Sequence, residues 1–92
     1  MGGPLEGIKV IEMGVWVAAP AAGAILADWG ADVIKIEPPG NGDPARMFQY
    51  TLGGDLPINP VFDNDNRSKR SIVADLRTPE GLQIALDLIS EA

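Results

Sequence analysis

The chain contains no cysteine and no histidine. Without cysteine there is no disulfide framework and no thiolate metal site, which fits a reducing compartment, and cytoplasmic location is the expectation. Without histidine, imidazole chemistry is excluded, and no metal is expected. Positive charge is scarce: seven Lys and Arg face thirteen Asp and Glu, for a net charge of −6. A general nucleic-acid binder is excluded on that ground, because non-specific affinity comes from neutralising phosphates with basic side chains. Long apolar runs are lacking too. The most apolar stretch, Val15 to Leu26, is a dozen residues interrupted by Pro20, and a membrane span needs roughly 20. That stretch follows Glu6 and Glu12 and has no basic start, so it does not read as a secretory signal. No internal repeat and no low-complexity tract is present.

What is present describes an ordinary globular chain: 46% of the 92 residues are apolar, more than a disordered chain carries. This length allows one domain at most, burying around 60 to 65% of the surface that the unfolded chain exposes. The core is therefore small.

Hydrophobic patterning gives the order of elements. A β-branched run predicts a first strand over 8–12, ending at Met13-Gly14. The Ala-rich stretch that follows predicts a helix over 19–29, with Pro20 in the first turn, where it costs no hydrogen bond, and Gly30 as the stop. A second strand is predicted over 32–36, giving strand, helix and strand in about 30 residues, a unit that closes as a right-handed parallel crossover. Pro38-Pro39-Gly40-Asn41-Gly42 then opens a long loop reaching to about Pro60. A third strand is expected over 71–76, with Ile72, Ala74 and Leu76 on one face. Thr78 caps a last helix over 79–90 whose N1 is Pro79 and whose Leu82, Ala85, Leu86 and Ile89 share a face. The fold class is α/β: the first β-α-β-β-α portion of a Rossmann-like parallel sheet, an incomplete domain. Such a slice leaves an apolar edge and uncovered helix faces, so association or instability is expected.

Candidate sites lie at the carboxyl ends of the strands, where open α/β sheets bind ligands. Arg67, Lys69, Arg70 and Arg77 make one stretch locally basic. Arg77 precedes the cap of the last helix, where free N–H groups and the helix dipole favour an anion and a guanidinium can clamp a phosphate. The plainer alternative is solvated strand-edge charge. The exit of the first strand, Gly14 to Pro20, is the second candidate: Ala18 and Ala19 are small enough to let a flat ring approach the backbone, and Trp16 is either a stacking surface or core. Glu37 invites a dinucleotide reading, but the glycine fingerprint is missing, Gly23 lies too deep in the helix, and no Gly-Lys-Ser/Thr phosphate loop exists. Asp28, Asp32, Asp43 and Asp75 read as helix-surface, turn or strand-end residues, and no catalytic arrangement is recognisable.

Three segments together resemble the amino-terminal head of the class III CoA-transferase family, which includes α-methylacyl-CoA racemases and carnitine-type acyl-CoA transferases. They are Pro4 to Glu12, Leu26 to Gly40, and Asn66-Arg67-Ser68-Lys69-Arg70-Ser71 running to Asp75. The likeness extends to about Glu91. It implies that residues 1–92 are an amino-terminal fragment of the large Rossmann-like CoA-binding domain, in an enzyme that moves CoA between carboxylic acids. The substrates implied are a CoA thioester, gripped by its ADP moiety, and a small carboxylic acid, with no metal, no nucleic acid and no membrane. The implied assembly is an interlocked homodimer. The nucleophilic aspartate of the family lies beyond this segment, so the resemblance places no catalytic residue here, and the segment alone is expected to be inactive. By position, Val17 and Ala18 match CoA contacts after the first strand, and Ala74 and Arg77 match contacts after the third. Pro38 stands where members often carry an arginine for a CoA phosphate, a charge that Arg46 is placed to supply. Val17 replaces a residue that is polar in some oxalate-type members, which argues against formate and oxalate specificity. A racemase or dehydratase of the same family is the near alternative, and a stand-alone nucleotide-binding or dimerisation module the distant one.

Overall fold

A computed structural model of the chain describes residues 3–47 and 59–92. The elements are β1 (Lys9–Glu12), α1 (Ala18–Asp28), β2 (Asp32–Glu37), a 3-10 turn (Pro44–Met47), α2 (Pro60–Asp65), β3 (Arg70–Val73) and α3 (Pro79–Ser90). The strands form one sheet in the order β1-β2-β3, and both pairings are parallel. Val10 lies opposite Val33, and Ile36 opposite Ile72. The α/β open sheet expected from the β-branched runs is thus present. The middle of the expected long loop, 48–58, lies outside the described residues.

Side-chain alternation along β2 divides the sheet into two faces of different chemistry. Ile34 and Ile36 point one way, and Ile36 packs with Ala74, Ala85, Ile11, Ile72 and Leu88 under α3. Val33, Lys35 and Glu37 point the other way, toward the face on which α1 lies. All five residues from Val33 to Glu37 are buried. A central strand covered on both faces leaves no solvent for its polar side chains, so Lys35 and Glu37 must find partners inside.

Helix ends follow the sequence signals closely. Thr78 accepts the Gly81 N–H at 3.0 Å with Pro79 behind it. α1 ends with the Gly30 N–H bonded to the Ala27 carbonyl and the Ala31 N–H to the Leu26 carbonyl, Gly30 taking φ 104°, the paired arrangement in which a left-handed glycine satisfies orphan carbonyls.

Three expectations are corrected. β3 stops at Val73 rather than 76, because the Asp75 carboxylate turns back to accept the Arg77 N–H and Thr78 folds onto the Asp75 carbonyl. The Leu82, Leu86 and Ile89 stripe of α3 faces outward, while the helix docks through Gly81, Ala85 and Leu88, whose first two members are small enough for close approach. Part of the expected loop is ordered as the 3-10 turn, and α2, where no element was expected, follows it, its start capped by Asn59 accepting the Phe62 N–H.

Candidate ligand-binding cleft

The carboxyl ends of the three strands surround a cleft of about 350 Å³. β1 contributes Met13, β2 contributes Ile36 to Pro39, and β3 contributes Ala74 to Arg77. Its walls are mostly apolar and its rim is charged, the make-up of a small-molecule site.

Of the four residues singled out by resemblance, Ala74 and Arg77 line this cleft together. Ala74 is buried, fixed by its N–H bonding the Glu37 carbonyl at 3.0 Å. Arg77 reaches outward: its side chain is 85% exposed and, among the described residues, holds only the neighbouring Asp75 carboxylate, at 3.0 Å. Exposed pairs of that kind contribute little, so the guanidinium is available to a better acceptor. Val17 and Ala18 are exposed and stand apart from this lining, at the head of α1.

The starts of α1 and α3, both close to candidate residues, differ in how far their N–H groups are already satisfied. At α3, Thr78 already takes the Gly81 N–H, Pro79 has no N–H, and Glu80 places a negative charge in the first turn. At α1, Val17 is the cap residue, no side chain among the described residues caps the N–H groups, and the first turn has no acidic residue. The open anion-favouring end is therefore that of α1.

The locally basic stretch is neutralised by residues far away in sequence. Arg67 binds Asp28, Arg70 binds Asp32, and Lys69 is buried against Glu12 at 2.5 Å. Lys69 also donates to the Pro20 and Asp65 carbonyls and to Asn66 Oδ1, each at 2.8 Å. Gly23 has a structural reason here: a Cβ at that position would stand 2.1 Å from Glu12 Oε1 and would push this carboxylate out of its place beside Lys69.

On the face of the sheet that α1 covers lies a network that single-residue reading missed. Lys35, 1% exposed, sits between Glu12 at 2.7 Å and Asp43 at 2.8 Å. Burial opposes its charge, but the bonds to Asp43 and Glu12 outweigh that and hold its ammonium above the ordinary lysine value. Asp43, read as a turn residue, is fully buried. Burial works against its charge, and the bonds from Lys35 and from the Ala45 and Trp16 N–H groups more than offset it, so its pKa is lowered.

Glu37 is equally occupied. Arg46 grips it bidentately at 2.6 and 2.7 Å, the Ser71 hydroxyl donates to its Oε2, and the Asp43 N–H donates to its Oε1. It is not free to hold a ribose, and Arg46, stacked 4.1 Å from the Phe62 ring centroid, is not free for a phosphate. A signal for this network was present in Asp32-Val33-Ile34-Lys35-Ile36-Glu37: two charges two residues apart share a strand face and need counter-charges if that strand is central.

Glu37 gives a pH prediction. Arg46 foremost, against burial and helped by Ser71 and Asp43, lowers its pKa from 4.5 to about 2. A carboxyl that is lowered in the fold adds stability above its unfolded pKa and loses it as pH falls through the folded value. Because Arg46 is 41% exposed, solvent screening trims the effect to about 1 to 2 kcal/mol, lost between roughly pH 4.5 and pH 2. Denaturant titrations of the protein and of Glu37→Gln should converge across that window; parallel curves would contradict the assignment.

Among the described residues no group of three or more potential metal ligands occurs, and no helix is long and apolar enough to cross a membrane.

The sequence and fold agree in their likeness to known proteins. A family model for CoA-transferase family III matches residues 5–92. A succinyl-CoA–D-citramalate CoA-transferase from Chloroflexus aurantiacus is 45% identical over 94% of this chain and 21% of its own length. A succinate–glutarate CoA-transferase from Agrobacterium fabrum is 46% identical over 97% of this chain and 23% of its own. The crystal structure of a CAIB/BAIF family protein from Brucella suis superposes with a TM-score of 0.87 at 39% identity, covering 100% of this chain and 25% of that one. The chain thus spans about a fifth to a quarter of the length of these relatives. With the family pattern running from residue 5 to residue 92 and the same parallel sheet beneath it, the chain belongs to CoA-transferase family III.

Proposed function

We propose that this chain is the amino-terminal part of the large Rossmann-like domain of an acyl-CoA transferase, and that it contributes the grip on the ADP moiety of CoA. The observation that carries the reading is the cleft at the strand ends, where the exit of β1 meets Ala74 and Arg77. Its apolar walls suit the adenine ring. The uncapped start of α1, with Val17 and Ala18 exposed, suits the phosphates, and Arg77 supplies a bidentate partner. The substrates in this proposal are a CoA thioester and a small carboxylic acid. The relatives named above are transferases, which favours transfer over racemisation or dehydration.

Among the described residues, the buried carboxylates Glu12, Glu37 and Asp43 are each bound to cations, which supports a nucleophile outside this segment. The reacting group belongs to the remainder of the proposed enzyme. The apolar side chains left exposed on β3 and α3, Val73 at 65% and Leu82, Leu86 and Ile89 at 42 to 48%, support further chain or a second subunit lying over them in a cytoplasmic homodimer.

In the complete enzyme, Arg77→Ala should weaken CoA binding on the order of 10- to 100-fold, the range for a charged hydrogen bond. A pantetheine thioester without the nucleotide should be nearly unaffected. Calorimetric affinities of both ligands for both proteins close a double-difference cycle. Equal losses would assign Arg77 to the fold and remove it from the site.

A further inference from the structure

The turn between β1 and α1 is held at two backbone points by one buried ion pair. The Asp43 Oδ1 atom accepts the Trp16 N–H at 3.0 Å, and the Lys35 ammonium donates to the Gly14 carbonyl at 3.3 Å. Lys35 is joined to Asp43 Oδ2 at 2.8 Å, and both side chains are almost wholly buried. Asp43 is itself fixed, because its Oδ1 also accepts the Ala45 N–H at 2.9 Å and its N–H donates to Glu37. Between the two gripped points the backbone turns sharply. Trp16 adopts φ 67°, a left-handed conformation that a residue with a bulky side chain rarely takes without being held there.

General energetics make this arrangement informative. A buried ion pair is no better for stability than well-packed apolar side chains of the same volume, and is often worse. Apolar side chains, however, cannot hold a carbonyl and an N–H at fixed positions. The residue after Trp16 is Val17, at the head of α1, where the turn determines how the exposed N–H groups are aimed.

We infer that Lys35 and Asp43 are positioning residues: the pair clamps Gly14 and Trp16 so that the Val17–Ala18 backbone is preset to receive an anionic group. The clamp is a property of the fold, and its consequence for CoA rests on the proposed function above. Neither side chain touches the ligand. Asp43 acts through the Trp16 N–H, and Lys35 acts through the Gly14 carbonyl and by neutralising Asp43.

Two variants separate the clamp from the fold. Both K35M/D43N and K35M/D43L remove one charge of each sign and leave the Glu12–Lys69 pair in place. Only the asparagine keeps an oxygen that can accept the Trp16 and Ala45 N–H groups. Amide exchange at Trp16 should be at least about 100-fold faster in K35M/D43L than in K35M/D43N, since the acceptor alone differs. CoA affinity should fall roughly tenfold further in the leucine variant, while the two melt within about 3 °C of each other. Equal Trp16 exchange in the two variants overturns the clamp. So does K35M/D43L failing to fold where K35M/D43N folds, because the acceptor would then be a requirement of the whole structure. If the unaltered enzyme does not bind CoA, the proposed function fails, and the exchange measurement still decides the clamp.

Discussion

Lys35→Met should lower the unfolding free energy by about 3 to 5 kcal/mol, the range for removing one partner of a buried pair. The substitution keeps most of the apolar stem but leaves Asp43 fully buried opposite a thioether, while Glu12 retains Lys69. A domain of this size has a total stability of about 5 to 15 kcal/mol, so the loss should place the variant near its unfolding threshold at neutral pH. Two features make the prediction specific. An unpaired buried carboxyl has a raised pKa, so the deficit relative to the unaltered protein should shrink as pH falls and Asp43 takes up a proton. Adding Asp43→Asn should restore most of the stability, because its amide oxygen still accepts the Trp16 and Ala45 N–H groups, although on its own that change strips Lys35 of one of its two carboxylates. The two changes are coupled through a direct contact, so their effects should be strongly non-additive. Denaturant midpoints of the four proteins at two pH values check this. Additive losses would show that the two residues do not act as a pair.

The second large effect is expected at Gly81. An exposed glycine in a helix is ordinarily improved by alanine, by about 1 kcal/mol. Gly81 should show the opposite sign. A Cβ there would lie 2.0 Å from the Asp75 carbonyl oxygen and 2.6 Å from its carbon. Those atoms are backbone, and they are tied in place because the Asp75 carbonyl also accepts the Thr78 N–H and hydroxyl. Neither side can yield cheaply, so Gly81→Ala should cost about 2 to 3 kcal/mol net, the upper part of the usual range for overpacking. The movement that relieves the clash passes through Asp75 to Arg77, the segment that forms one wall of the cleft. Loss of CoA affinity should therefore accompany the loss of stability. A stabilised Gly81→Ala protein would mean that α3 does not press on the end of β3.

How far the sequence was legible depends on how local each determinant is. β1, β2 and α1 follow from β-branched runs and an Ala-rich stretch, and α3 from Thr78 and Pro79, all decided within a few residues. α2 escaped because six residues, half of them Asp or Asn, carry no periodicity; Asn59 before Pro60 was its start signal, inside what read as loop. The end of β3 is set by the side chain of Asp75 folding back on its own backbone, which hydrophobic patterning does not record. The site was less legible than the fold. Ala74 and Arg77 meet in the cleft as their place at the end of a strand implied. The basic stretch from Arg67 to Arg70, in contrast, is bound to Asp28, Glu12 and Asp32, partners that only the parallel sheet brings near. Lys35, Asp43 and Glu37 belong to the same class: their charges make sense only once β2 is known to be central and covered on both faces.

The measurement that tests the central claim most directly is amide hydrogen exchange in the complete enzyme with and without saturating CoA. Bound CoA should slow exchange at Val17, Ala18 and Ala19 and at Ala74 to Arg77, and leave the outer turns of α3, from Ile84 onward, unchanged. Slowed exchange at both strand ends is the result that the account predicts. CoA bound with full occupancy and no protection at either segment would contradict it, and would place the ADP grip outside this part of the fold.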